Sequence, residues 1–186
     1  AVTALEIMPD LPESISAPLR TCRYSSTYYY QFGLETPLDL PQDTPWFVVM
    51  TTASQPGVLN FASLGSQDRE HPVVIAATRG WEDDRLGRLS DAERRRAVID
   101  ELQRIEPSFP TEPKITKVFR WDRAVNLDAP GQFAAIQELL AHHSRDVAGL
   151  YLAGEYLFLV ASTEGAMRTG RQAAEAVIRD RAQAQE

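Results

Sequence analysis

The chain has 186 residues, 44% of them hydrophobic and 24% charged, enough to bury a core and to form one domain or a little more. Its formal net charge of −7 argues against a nucleic acid or other polyanion as partner, because such binding draws its affinity from clustered Lys and Arg. A lone cysteine, Cys22, excludes an internal disulfide and a multi-cysteine zinc site, and no apolar run reaches the ~18 residues of a membrane span, so a soluble protein of a reducing, cytoplasmic compartment is expected.

In chain order, AVTALEIM reads as a strand, and a start inside a strand without an initiator Met points to a fragment or a processed product. CRYSSTYYYQFGL follows, rich in aromatic and β-branched residues and therefore a strand. PWFVVMTTAS and VLNFASL flank Gln55-Pro56-Gly57, a turn signal, and predict a hairpin. HPVVIAATRG reads as a buried strand. Asp83-Asp84 falls in a solvated loop. Ser90 stands three residues before Glu93, a capping box opening a helix to Ile105 with Val98, Leu102 and Ile105 on one face. Within it, Arg94-Arg95-Arg96 reads as a solvated basic face. Pro107, Pro110 and Pro113 close that helix, and ITKVFRW resumes as a strand. FAAIQELLAHH predicts a helix whose terminal His142 and His143 suit its C-terminal dipole rather than a metal. GLYLAGE then predicts a strand, followed by a loop and a helix from Glu164 to Arg181. Four to six strands with separate helices make an α+β fold with a mixed or antiparallel sheet.

The closing strand-loop-helix is where chemistry concentrates. Small residues at Ala153 and Gly154 let a bulky ligand approach the strand end, and Glu155 offers a carboxylate to hydroxyl groups. The amides of Thr163, Glu164 and Gly165, at the positive end of a helix dipole, favour an acceptor oxygen or a developing negative charge. An ordinary strand-helix packing unit with a polar start accounts for the same pattern on composition alone.

The string AGE, a spacer, then EGAMRTGRQAA resembles the C-terminal FAD-binding segment of the flavin-containing amine oxidase superfamily. Ala153, Gly154 and Glu155, then Glu164, Gly165 and Ala166, then Thr169 and Gly170, then Ala173 and Ala174 carry the likeness, with Thr169 replacing the commoner Ser. RYSSTYYYQFGL and KVFRW with the later AVN and PGQ are similar to substrate-domain segments of renalase-like and protoporphyrinogen-oxidase-like relatives. The resemblance implies an FAD-dependent oxidoreductase acting on a small-molecule substrate. Residues 1–148 would be a substrate-binding portion and 149–186 the FAD-binding segment. Gly154, Glu155, Thr163, Glu164 and Gly165 would contact the cofactor, with Glu155 on the ribityl chain. Trp121, Tyr28 and Tyr30 would line the substrate cavity.

No G-x-G-x-x-G occurs among the ten glycines, so the unit that holds the ADP half of FAD is missing, and the N-terminal portion of the same protein is the expected partner. Amine oxidases proper commonly carry a Lys on the strand matching CRYSSTYYY. Here the lysines are Lys114 and Lys117, which directs the resemblance to the other branches. An opening strand cut from its sheet also predicts self-association. A binding module that kept the fold and lost the cofactor is the alternative.

Overall fold

β-Branched and aromatic side chains pack well on a pleated surface, and the Tyr- and Thr-rich run Arg23–Gly33 forms an 11-residue strand, β1. Among the described residues it makes, with β2 (Val48–Met50), β3 (Leu59–Leu64), β4 (Val73–Thr78) and β5 (Ile115–Leu127), a five-stranded sheet in the order β2-β3-β4-β1-β5. β2 pairs with β3, β3 with β4 and β4 with β1, all antiparallel, the last in a register that sets Tyr30 opposite Ala76 and Phe32 opposite Val74. The helices are α1 (Val2–Ile7), α2 (Glu13–Thr21), α3 (Asp83–Gly87), α4 (Asp91–Ile105), α5 (Gln132–Asp146) and α6 (Thr163–Gln183). This computed structural model describes residues 1–40, 48–50, 57–64, 71–127, 129–158 and 161–184. The expected hairpin is present as β2 and β3, while Gln55 and Pro56 of its turn lie outside the described residues. No helix among the described residues is long and apolar enough to cross a membrane.

Packing divides the chain into two units, Ser25–Ala124 and a second made of Ala1–Tyr24 with Val125–Glu186. The boundaries differ from the sequence-based split at 148, which concerns role rather than packing.

In the unit Ser25–Ala124, Tyr30, Phe32, Leu59, Val74, Leu86, Val98 and Leu102 form a buried core. The rings of Tyr30 and Phe32 stack at 5.6 Å, and Phe109 meets Phe32 edge-on at 5.4 Å. α4 opens on the expected capping box: Glu93 N–H donates to Ser90 Oγ, and Ser90 N–H donates to the Glu93 carboxylate at 2.8 Å. Val98 and Leu102 point inward, with Ile105 half-buried beside them. Glu101, also on α4, is buried and accepts the backbone N–H groups of Val58 and Leu59, tying the start of β3 to the helix.

Two charged residues differ from expectation. Arg94 is not part of a solvated face: it is buried, donating to the carbonyls of Leu86 (2.8 Å) and Leu89 (3.2 Å) and to the Tyr28 hydroxyl (3.2 Å). A guanidinium tolerates burial when its donors are matched, and these acceptors come from outside its own helix. Asp83 begins α3 and pairs with Arg120, whose guanidinium holds the Asp83 carboxyl below the usual carboxylate range.

In the second unit, Ile15, Leu19, Ile136, Leu139, Leu152, Tyr156 and Leu157 are buried together. The opening segment is helical, not a strand. Its apolar residues satisfy both periods, Ala, Leu and Glu favour helix, and Ala1, Ala4 and Leu5, at helical spacing, pack against this cluster. The reason for expecting self-association, an unpaired opening strand, is thereby removed. α5 forms where FAAIQELLAHH predicts it. GLYLAGE is not a strand in this chain. A strand requires a ladder partner for its backbone, and the Gly154 N–H instead donates to a side-chain hydroxyl.

Each unit buries a tyrosine, Tyr30 in one and Tyr156 in the other, whose phenol burial pushes up to about 12. Both stay neutral in the fold after an unfolded chain ionises near pH 10, so their contribution is complete below about pH 10 and is lost as pH rises toward 12. We expect melting temperature to hold to about pH 10 and then fall, with roughly 2–3 kcal/mol lost per tyrosine. A flat alkaline melting series would contradict this.

Candidate functional site

The segment predicted to carry chemistry lies in the unit formed by Ala1–Tyr24 and Val125–Glu186. Leu152 is buried, and the backbone then turns at Gly154 with φ +142° into a single 3-10 turn, Glu155–Leu157. A Cβ at Gly154 would lie 2.6 and 2.9 Å from ring carbons of Tyr156, so both conformation and space demand glycine. Tyr156 and Leu157 anchor the turn in the core, leaving Glu155 half-buried at its start.

α6 begins at the capping residue Ser162, whose Oγ accepts the Gly165 N–H at 3.0 Å. Of the three amides singled out from the sequence, that of Gly165 is therefore engaged. Thr163 and Glu164 are exposed and precede the first helical bond, Ala166 N–H to Ser162 O at 3.1 Å, so their amides have no intrahelical acceptor. Gly165 is buried for another reason: a Cβ there would sit 3.0 Å from Phe158 Cβ and 3.1 Å from its ring. Gly170, by contrast, has nothing within 4 Å.

Thr169 is the group that sequence reasoning passed over as a mild variation. It is 5% exposed. Its Oγ1 accepts the Gly154 N–H at 3.0 Å, and its own proton is within reach of the carbonyls of Gly154 (3.1 Å), Gly165 (2.9 Å) and Ala166 (3.1 Å). The hydroxyl thus ties the Gly154–Glu155 turn to α6.

The expected substrate-cavity residues belong to the unit Ser25–Ala124, and they do not share a face. Tyr30 is fully buried in the core. Tyr28 is half-buried, with two guanidinium groups over its ring, those of Arg94 (4.2 Å to the centroid) and Arg120 (4.6 Å). Adjacent residues of a strand point to opposite faces. Because Arg120 lies over Tyr28, Trp121 points to the other face, away from Tyr28 and Tyr30. There it shares a row with Ile115 and Phe119, all three exposed, Trp121 by 55%. On β1 the matching row is Tyr29, Gln31 and Gly33, and Ile115 does pack at Gly33, 3.2 Å from where a Cβ would stand. Tyr29, not Tyr28 or Tyr30, is thus the tyrosine on the Trp121 side; only the pairing of β1 with β5 reveals it. His142 and His143 lie on α5, and their side chains fall outside the described residues.

The sequence matches the family described as flavin containing amine oxidoreductase over residues 2–178. No curated protein matches it. The fold is similar to a protein designated protoporphyrinogen oxidase from Exiguobacterium sp. 255-15, at 19% identity and TM-score 0.65 over 93% of this chain and 39% of that one. It is similar to cyclohexylamine oxidase from Brevibacterium oxydans IH-35A, at 22% identity and TM-score 0.62 over 92% of this chain and 39% of that one. It is also similar to a putrescine oxidase bound to putrescine, at 15% identity and TM-score 0.65 over 91% of this chain and 39% of that one. The chain spans 39% of the length of each of these proteins, and at such identities the likeness is one of fold.

Proposed function

The chain belongs to the flavin containing amine oxidoreductase family, and from that premise we propose that it is the C-terminal part of an FAD-dependent oxidoreductase that takes a hydride from a small organic substrate. FAD, when bound, supplies the hydride acceptor at its N5 position. The observation that carries the reading is the donor and acceptor set presented by residues 149–186: the half-buried Glu155 carboxylate and, at the start of α6, the exposed amides of Thr163 and Glu164. This set fits the cofactor's chemistry. A carboxylate suits the hydroxyls of a ribityl chain, and helix-terminal N–H groups suit an acceptor-rich pyrimidine edge, where they favour negative charge.

Residues 149–186 hold one side of the cofactor in this reading, and residues 1–148 include the substrate-binding portion. The cavity beside Tyr156, Leu157 and Phe158 holds about 100 Å³, less than the roughly 300 Å³ of small ligand pockets. The remaining contacts to FAD are assigned to the N-terminal portion of the full-length protein. Trp121 and Tyr29 are the candidates to touch substrate, as rigid aromatic surfaces that orient a flat molecule.

In the full-length protein Glu155→Ala should remove a charge-assisted hydrogen bond of about 1.5–3 kcal/mol, weakening FAD binding roughly 10- to 100-fold while the fold survives. Trp121→Ala should leave FAD bound and lower turnover. Bound flavin, melting temperature and turnover on both variants make the comparison. Unchanged flavin content in Glu155→Ala would overturn the assignment, and a well-folded full-length protein that purifies colourless would favour a non-catalytic binding module.

A further inference from the structure

Among the described residues, Thr169 is the one hydrogen-bonding group of α6 that reaches residues 154–158. It joins two pieces far apart in sequence, the turn that presents Glu155 and the helix whose first turn presents the amides of Thr163 and Glu164. From this we infer that Thr169 is a positioning residue of the cofactor site, its buried hydroxyl setting where Glu155 stands relative to the start of α6. The inference rests on the flavin reading above.

The geometry limits what can substitute for the hydroxyl. Gly154 makes a second, local bond, its carbonyl accepting the Leu157 N–H at 3.2 Å, which shapes the turn but does not connect it to the helix. Phe158 lies where a Cβ on Gly165 would meet it at 3.0 Å, and the Arg168 guanidinium lies over its ring at 5.2 Å, but both contacts are to Phe158 and neither reaches the Gly154–Glu155 peptide. A hydrogen bond is directional. The Thr169 Oγ1 therefore selects one placement of the Gly154–Glu155 peptide against α6. Ser keeps this oxygen; Val keeps the volume and loses it.

The test uses the full-length protein with Thr169→Val, Thr169→Ser and, should Val impair folding, Thr169→Ala, read in two arms. Hydrogen exchange of the Gly154 amide, measured without added FAD, reports the tie itself. It should accelerate in Val or Ala and remain slow in Ser. FAD titration below the melting temperature reports positioning: affinity should fall about tenfold in Val or Ala, with a changed visible flavin spectrum, and stay within about twofold of wild type in Ser. Unaltered Gly154 exchange in Val and Ala would overturn the tie. Accelerated exchange with wild-type affinity and spectrum would overturn the positioning role and leave a structural one. A wild-type protein that slows Gly154 exchange yet takes up no FAD would overturn the flavin reading instead, and the role that rests on it.

Discussion

Gly154→Val is expected to abolish flavin retention by the full-length protein and to destabilise the chain itself. Two penalties combine at this position. With φ at +142°, a β-branched residue enters a region that costs on the order of 1–3 kcal/mol. Its Cβ would also stand 2.6 Å from Tyr156 Cε1, and overpacking of that kind adds about 1–3 kcal/mol. Tyr156 cannot yield freely, being 9% exposed and packed in the cluster with Ile136, Leu152 and Leu157. The turn must move, carrying Glu155 with it. Denaturant unfolding followed beside bound flavin checks both effects. Gly170→Ala is the control, because nothing lies within 4 Å of Gly170 and a helical glycine replaced by alanine should gain roughly 0.5–1 kcal/mol. A Gly154→Val protein that unfolds with the wild type would refute the strain.

Phe32→Ala should be among the most damaging single changes in the unit Ser25–Ala124, at about 3–5 kcal/mol. Phe32 is fully buried on β1, stacked on Tyr30 at 5.6 Å and met edge-on by Phe109 at 5.4 Å. Truncation removes a large apolar side chain and both ring contacts, on a strand paired on each side. Val74, which faces Phe32 across the β1–β4 pair, and Leu59 and Leu102 of the same core cluster sit on three different elements, so no single shift fills the void. Phe119→Ala offers the comparison: the same chemical change at a residue 42% exposed on β5 should move stability by well under half as much. The urea midpoint should separate the two clearly, and a loss below about 1 kcal/mol for Phe32→Ala would contradict the core assignment.

Neighbouring residues settle several features of this chain among themselves. Ser90 and Glu93 satisfy each other's backbone three residues apart, so the start of α4 could be read directly. β1 follows from its aromatic and β-branched composition, and the Val98, Leu102 and Ile105 face of α4 from helical period. AGE with EGA pointed to the proposed cofactor segment by resemblance to a family pattern, and its glycines have structural reasons of their own, Gly154 at a turn with positive φ and Gly165 where the helix meets Phe158 closely. Other features depend on segments that meet only once the chain has folded. AVTALEIM suits either period over so short a span, and Ile15, Leu19 and Ile136 select the helix by covering its Ala4 and Leu5 side. Arg94 looks solvated among Arg95 and Arg96 until the carbonyls of Leu86 and Leu89 and the ring of Tyr28 arrive from other segments. The pairing of β1 with β5 placed Tyr29, rather than Tyr28 and Tyr30, on the side of Trp121. Thr169 meets Gly154 across fifteen residues, and no local pattern encodes such a bond, because its partner is chosen by how the chain folds back and not by spacing along it.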